Sequence, residues 1–398
     1  MNKYPKTRSV SRRLRMGVIT WVAVLVALRL LVLQPERCGD ATEAEVTAAA
    51  ASTVNWLIRN QGPEGTWLYR YEAETDDDLG GYNLSRHAGV TFSLYQAAAA
   101  DIHGAQEAAE RGSRYLAKRL VSAGNGMAVD VTAAEVPIGP SALWVLALGE
   151  RRLLTGDDAY DDTLRALGRF LEGQIEPSGA VSERWDRSED KLVAGAYSPF
   201  FTGEAYFALA RLERLFPEED WDTPADRIGH YLAVERDEVE DRFPAVSDHW
   251  AAYGLAETAH WRDLTAPEAD YADTLAGIFG PQIRYESQRT ESWYTHRTRG
   301  RQTLGAGLGT LGEGATSLWA LAGLDPQASD LHEAAAERSH CVAGLLIERQ
   351  VGPAGAQQFD DPGRVAGAWF QFGVTQMDDQ QHALSALLRT LPILDDEA

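Results

Sequence analysis

Residues 56–67 read Trp56-Leu57-Ile58-Arg59-Asn60-Gln61-Gly62-Pro63-Glu64-Gly65-Thr66-Trp67. The apolar opening reads as the last turn of a helix, and Gly62-Pro63 stops it, since proline lacks an N–H to continue the ladder. Gly65 permits a turn that a β-carbon would hinder, and the Gln61 side chain can satisfy free groups at the helix end. Related spacing returns as Phe170, Leu171, Gln174, Gly179 and as Leu345, Leu346, Gln350, Gly355. A helix-ending phrase that recurs along a chain marks a repeated helical hairpin.

Apolar periodicity after position 40 pairs a charged outer helix with an inner helix rich in alanine, glycine and aromatics, six times over. The outer helices are expected near 42–60, 105–121, 158–174, 222–236, 266–281 and 328–350. The inner ones are expected near 86–100, 138–150, 199–215, 247–260, 303–323 and 378–391. Segments such as His87 to Ala100, Ser141 to Leu148 and Gln381 to Leu388 carry small or apolar residues on nearly every face, as a helix buried all round requires. Six such helices can line a closed ring with the six charged ones outside it.

The phrase at 56–67 resembles the glutamine-tryptophan motif of the α/α-toroid superfamily, and the six-pair layout over 42–398 is similar to six-hairpin glycosidases. Thr155-Gly156-Asp157-Asp158-Ala159-Tyr160 also resembles a phrase of their outer helices. The resemblance implies an all-α, (α/α)6 toroid. It narrows function little, since the same toroid serves glycoside hydrolases, uronate lyases, sugar epimerases, terpenoid cyclases and prenyltransferase subunits.

Ahead of the toroid, residues 1–15 hold six cations and no acid, and Met16 to Leu33 are 18 residues whose only charge is Arg29. That pattern predicts a basic cytoplasmic segment (1–15), a transmembrane anchor (16–34), a linker (35–41) and an extracytoplasmic domain (42–398). Arg29 lies close enough to the end of the run to reach the headgroups. Gln34-Pro35-Glu36-Arg37-Cys38 offers no small-residue cleavage site, which favours an uncleaved anchor over a removed signal peptide. Ser11-Arg12-Arg13 resembles a twin-arginine start, but Arg15 stands where an apolar residue is expected.

Setting aside the seven bases of the first 33 positions leaves 30 against 59 acids, a formal charge of −29. Nucleic acid is therefore excluded as a partner for the bulk of the chain. Cys38 and Cys341, the only cysteines, exclude a disulfide framework and a cysteine-based zinc site. No cofactor or metal is implied.

In a toroid the inner helices start at one end, so their first turns and partial positive dipoles converge on one mouth. Candidate catalytic groups there are His87, Asp248, Asp379 and His382, because proton transfer needs carboxylates and imidazoles whose pKa can be tuned by partial burial. Candidate substrate-binding groups are Tyr82, Arg86, Glu204, His249, Trp250 and Arg299, with Glu183 and Trp185 from a long loop. A loop carboxylate beside an indole suits a stacked sugar ring. Helix capping is the competing account of Asp248 and Asp379, core hydrogen bonding that of His87, and salt bridging that of the arginines. Gly307-Leu308-Gly309-Thr310-Leu311-Gly312 has dinucleotide-binding spacing but no preceding strand, so tight helix packing explains it better. Asp157-Asp158-Ala159-Tyr160-Asp161 has the spacing of terpene-synthase metal aspartates but opens a charged outer helix, where capping accounts for it.

These readings lead to a membrane-anchored, extracytoplasmic enzyme acting on a cell-envelope or extracellular polysaccharide, neutral or acidic, as hydrolase, lyase or epimerase. A non-catalytic glycan-binding or assembly scaffold is the alternative. An isoprenoid cyclase is a third reading, opposed by the absence of a protonating aspartate motif.

Overall fold

The computed structural model of the chain describes residues 8–31, 34–39, 41–241 and 246–396. It divides into two units, residues 38–283 with 303–398 and residues 1–37 with 284–302.

Twelve helices form the repeated hairpins. The outer ones are α1 (Glu43–Arg59), α3 (Ala105–Ala117), α5 (Asp161–Glu172), α7 (Asp222–His230), α9 (Ala266–Ser287) and α11 (His332–Arg349). The inner ones are α2 (Leu84–Ala99), α4 (Gly139–Thr155), α6 (Phe201–Leu215), α8 (His249–Thr258), α10 (Ala306–Leu324) and α12 (Met377–Asp396). Each inner helix packs on the next, α2 on α4, α4 on α6 and so on to α12, which returns to α2 and closes the ring. The inner helices are buried nearly all round, as their composition predicts, while α5 buries only Leu164, Ala166, Leu167, Gly168, Phe170 and Leu171. Local chemistry sets the starts. Thr42 and Glu45 form a reciprocal capping box on α1, Asn83 accepts the Arg86 N–H on α2, and Asp248 accepts the Ala251 N–H on α8.

The recurrent glutamine-glycine phrase stitches outer helices together. Gln61 donates through Nε2 to the Ala108 carbonyl of α3 at 3.0 Å and accepts from Arg111 Nε at 2.8 Å. Gly65, at φ +94°, lies against the Arg111 carbonyl, and Gly179, also at +94°, against that of Arg227 in α7. In the third copy Gln350 donates to the Ala49 carbonyl of α1 at 3.0 Å, but the glycine that completes it is Gly367 (φ +93°), packed on the Ser52 carbonyl. The expected Gly355 instead sits in a short helix, Pro353–Ala356. The third loop is longer than its sequence spacing suggests, and the first and last outer helices are joined by it.

The connections expected as loops carry small antiparallel strands. β1 (Arg70–Glu72) pairs with β2 (Asp77–Asp78) and with β8 (Val374–Gln376) in the register Arg70 to Gln376. β5 (Glu135–Pro137), β6 (Arg184–Asp186) and β7 (Lys191–Leu192) form a second sheet, with Val136 opposite Trp185. β3 (Leu120–Ala123) and β4 (Gly126–Val129) form a hairpin. The strands are only two to four residues long, too short for sequence alternation to declare them.

A multi-bridge framework is excluded by two cysteines, but Cys38 and Cys341 form one disulfide across 303 residues of chain. Such a staple on a long loop stabilises by about 2–5 kcal/mol, mainly by restricting the unfolded chain.

In the smaller unit, helix Arg8–Leu31 leads to a segment held by a bond from Arg37 N–H to Ser287 O (3.2 Å) and from Gln288 Nε2 to Gln34 O (2.8 Å). Among the described residues no helix is long and apolar enough to cross a membrane, and positions 32 and 33 of the expected span (16–34) lie outside them.

Gly367→Ala tests the stitching: a β-carbon there meets the Ser52 carbonyl at a backbone angle that L-residues disfavour. The substitution is expected to destabilise by about 1–3 kcal/mol or more in denaturant unfolding, whereas Gly355→Ala is expected to change stability by less than about 0.5 kcal/mol.

Candidate functional site

All six inner helices contribute to one cleft of about 540 Å³ at the ends where they begin. α2 supplies Ser85 and Arg86, α4 Leu143, α6 Phe201 and Glu204, α8 His249 and Trp250, α10 Thr310 and Leu311, and α12 Asp378, Gln381 and His382.

At its floor His382 Nδ1 lies 2.6 Å from Glu313 Oε2, and Glu313 is fully buried. Tyr253 O–H donates to the other Glu313 oxygen at 3.4 Å. His249 stands beside this pair with its ring 5.2 Å from that of His382 at 82°. Its Nε2 is 3.7 Å from Glu313, too long for a hydrogen bond, and neither of its buried ring nitrogens has a partner among the described residues. Trp250 walls both imidazoles, at 4.7 and 6.0 Å between centroids.

The two histidines are driven apart in protonation. Burial, with the nearby His382 charge adding to it, holds His249 well below the ordinary imidazole range and so neutral. Burial works against the His382 cation too, but the Glu313 carboxylate overrides it, with Asp378 and Asp379 assisting, and raises His382 above that range. Glu204, buried with Oε2 unpartnered, is raised well above the usual carboxylate range by burial and then by Asp248, so it carries its proton.

The α10–α12 seam makes this contact possible. Gly309 lies against the His382 backbone, where a β-carbon would collide, which is the packing role its glycine-rich stretch suggests. Glu313 was not singled out from sequence, although a signal existed: it is the one charged residue in Ala306–Leu324, and a lone carboxylate on a buried helix needs a partner.

Of the candidate residues, His382, His249, Trp250, Glu204 and Arg86 meet in the cleft. Arg86 is tied there to Tyr69 (2.7 Å), Gln376 (2.6 Å) and Asp378 (3.1 Å). The others are elsewhere. His87 is sealed in the core, donating from Nε2 to Gly112 O (2.9 Å) and accepting from Tyr82 O–H (2.7 Å), and burial lowers it to about 3. Asp248 is fully buried, capping α8 and paired with Arg236 at 2.6 Å. Asp379 accepts the N–H groups of Ala306 (3.0 Å) and Gln376 (2.8 Å), tying the starts of α10 and α12 together; burial, then Asp378, pushes it up to about 7. In all three the structure supplies the capping or core partners that compete with a catalytic role. Trp185 is buried against Phe170 with its indole N–H on Asp190, Glu183 is paired with Arg184, and Arg299 belongs to the smaller unit. None of them lines this cleft.

Among the described residues, His249, Glu313 and His382 bring three ligand-type atoms within 4.8 Å of one another. Tetrahedral ligands about 2.05 Å from one zinc ion sit about 3.3 Å apart, and the 2.6 Å between His382 and Glu313 is instead a shared-proton distance. The set is a hydrogen-bonded dyad with a third, unpartnered imidazole.

By sequence the chain matches no family model and no curated protein. By fold it superposes on cellobiose 2-epimerase from Spirochaeta thermophila DSM 6192 with a TM-score of 0.60 and 14% identity, over 89% of this chain and 98% of that one. It also superposes on an unsaturated glucuronyl hydrolase specific for heparin (0.58, 11%, 88% and 97%) and on a type II terpene cyclase from Scytonema (0.51, 10%, 88% and 99%). The fold is the six-hairpin α/α toroid. At these identities the likeness speaks to architecture alone, and the toroid's chemistry has to be read from its own mouth.

Proposed function

We propose that the toroid is a glycan-active enzyme that moves a proton at the carbon beside the carbonyl of a reducing sugar, interconverting epimers or aldose and ketose. The observation that carries this reading is the pair of facing imidazoles with opposite protonation, His249 neutral and His382 charged on Glu313. Groups whose environments push their pKa values apart are suited to act as base and acid in one turnover.

In the proposed step His249 removes the proton from the carbon next to the carbonyl. The C–H pair becomes the enediol double bond while the carbonyl π pair moves to oxygen, which Glu204 stabilises through its acid proton. His382 returns a proton to the opposite face of the same carbon, giving the epimer; alternatively it protonates the neighbouring carbon while Glu204 gives its proton to the former carbonyl oxygen and takes the proton of the second hydroxyl, which becomes the new carbonyl, giving the isomer. The sequence is redox-neutral and needs no co-reactant. Hydrolysis is less well supported, because Asp248 and Asp379 are engaged by Arg236 and by backbone N–H groups instead of facing a glycosidic bond. One fold neighbour, the cellobiose 2-epimerase, bears the name of such a reaction.

Activity requires neutral His249, available down to pH values below the ordinary imidazole pKa of about 6.5, and cationic His382, lost as pH rises through its elevated pKa. The profile of kcat/KM is therefore expected to be a broad bell. Glu313→Gln removes the charge that holds the His382 proton and is expected to move the alkaline limb to lower pH. His249→Asn or His382→Asn is expected to lower kcat about 10²–10⁴-fold, measured by chromatography of epimeric and ketose products from reducing mono- and disaccharides. An unmoved alkaline limb in Glu313→Gln, or glycan binding without turnover, would replace this reading with a hydrolytic or scaffold role.

We also propose that the chain is anchored by its N-terminal helix with the toroid outside the cytoplasm. Leu14, Ile19, Trp21, Leu25 and Leu30 are all more than half exposed, on several faces of Arg8–Leu31, an arrangement that calls for an apolar surround. Six cations precede the apolar run, and a disulfide is at home in an oxidising compartment. The expected result is that the chain stays with membranes after alkaline carbonate washing and is released when residues 1–33 are deleted; full release of the intact chain would refute anchoring.

A further inference from the structure

Beside the histidine cleft lies a second cavity of about 340 Å³, and Asn83, the N-cap of α2, and Ser85, in its first turn, border both. We propose that this cavity is a sugar subsite, so that the substrate is an oligosaccharide of at least two residues, its reducing end in the histidine cleft and the next sugar here. The inference rests on the glycan-active reading above and specifies its substrate class.

The lining has the chemistry of a sugar's edges and faces. Asp130, Thr132 and Arg119 offer acceptors and donors for ring hydroxyls, and Val131, with Pro137, Pro140 and the Tyr82 ring, offers apolar surface for a ring's C–H face. Those polar groups are already held in place. Asp130 accepts the Thr132 N–H at 2.6 Å and is gripped by Arg187. Tyr115 is clamped between His87, stacked at 4.8 Å, and the Arg119 guanidinium, 3.6 Å from its centroid. The Arg119 Nη2 bonds the Tyr115 hydroxyl at 2.7 Å. His87, set aside as a catalytic residue, thereby acquires a role as the buried support of the subsite wall. Groups fixed before the ligand arrives lose little freedom on binding, as a preorganised site requires.

The test compares glucose with cellobiose, and mannose with β-1,4-mannobiose, on the full chain and on Val131→Trp, whose indole would fill the cavity. The wild type is expected to favour the disaccharide by at least tenfold in kcat/KM, mainly through KM, and Val131→Trp to erase most of that preference. A ratio near one in the wild type, or a Val131→Trp variant that lowers both sugars in proportion, overturns the subsite. If circular dichroism shows that Val131→Trp is misfolded, Asp130→Asn takes its place, with a severalfold loss of the disaccharide preference expected. If no sugar is turned over, the catalytic reading fails by itself. Calorimetric titration with the same sugars then decides the subsite, which stands only if the disaccharide binds more tightly and the substitution removes the difference.

Discussion

The close approach of α10 to α12 is the constraint on which the toroid's mouth depends. Gly309 has no side chain to hold the helices apart, and that absence lets Glu313 reach across to His382 at 2.6 Å. Asp379 secures the same seam at its opening by accepting N–H groups from the start of each helix. A carboxylate buried with no partner would carry a large desolvation penalty, so Glu313 and His382 hold each other in place, and Glu313 favours the proton on His382. His249, one helix further round the ring, inherits an environment in which a second cation is disfavoured.

That arrangement separates residues that look alike in sequence. Asp248 and Asp379 both stand at inner-helix starts, where a catalytic carboxylate and a capping carboxylate occupy the same position in the chain. Only tertiary partners distinguish them, Arg236 for Asp248 and the α10 backbone for Asp379. The inner and outer helices and their convergent starts were legible because their signals are local: periodicity, caps and helix-ending glycines. The third glycine of the repeated phrase, Gly367 in place of Gly355, was not, since its reason is a carbonyl of α1 more than 300 positions away. The Cys38–Cys341 bond has the same character, joining residues whose proximity arises only when the ring closes. Glu313 was legible in principle, as the single charge on an otherwise uncharged inner helix, and it is the residue on which the His382 proton depends.

The sugar-binding features expected from tryptophan and arginine content are distributed differently from expectation. Trp185 packs into the core and Arg299 lies in the smaller unit, while Trp250 and Arg86 face the cleft. What lines the cleft is thus a small set: two imidazoles, a buried protonated carboxyl, an indole wall and an arginine held by Asp378. This inventory suits proton transfer on a polyhydroxylated, uncharged ligand better than ionisation of a hydrocarbon, even though terpene cyclases share the fold.

Incorporation of solvent deuterium into a reducing sugar is the most direct measurement of the central claim. Incubation in heavy water, followed by NMR of the recovered sugar, is predicted to place deuterium on the carbon adjacent to the carbonyl carbon, with none incorporated by His249→Asn. Release of shorter glycans without deuterium at that carbon would contradict the account and assign the cleft to bond cleavage instead.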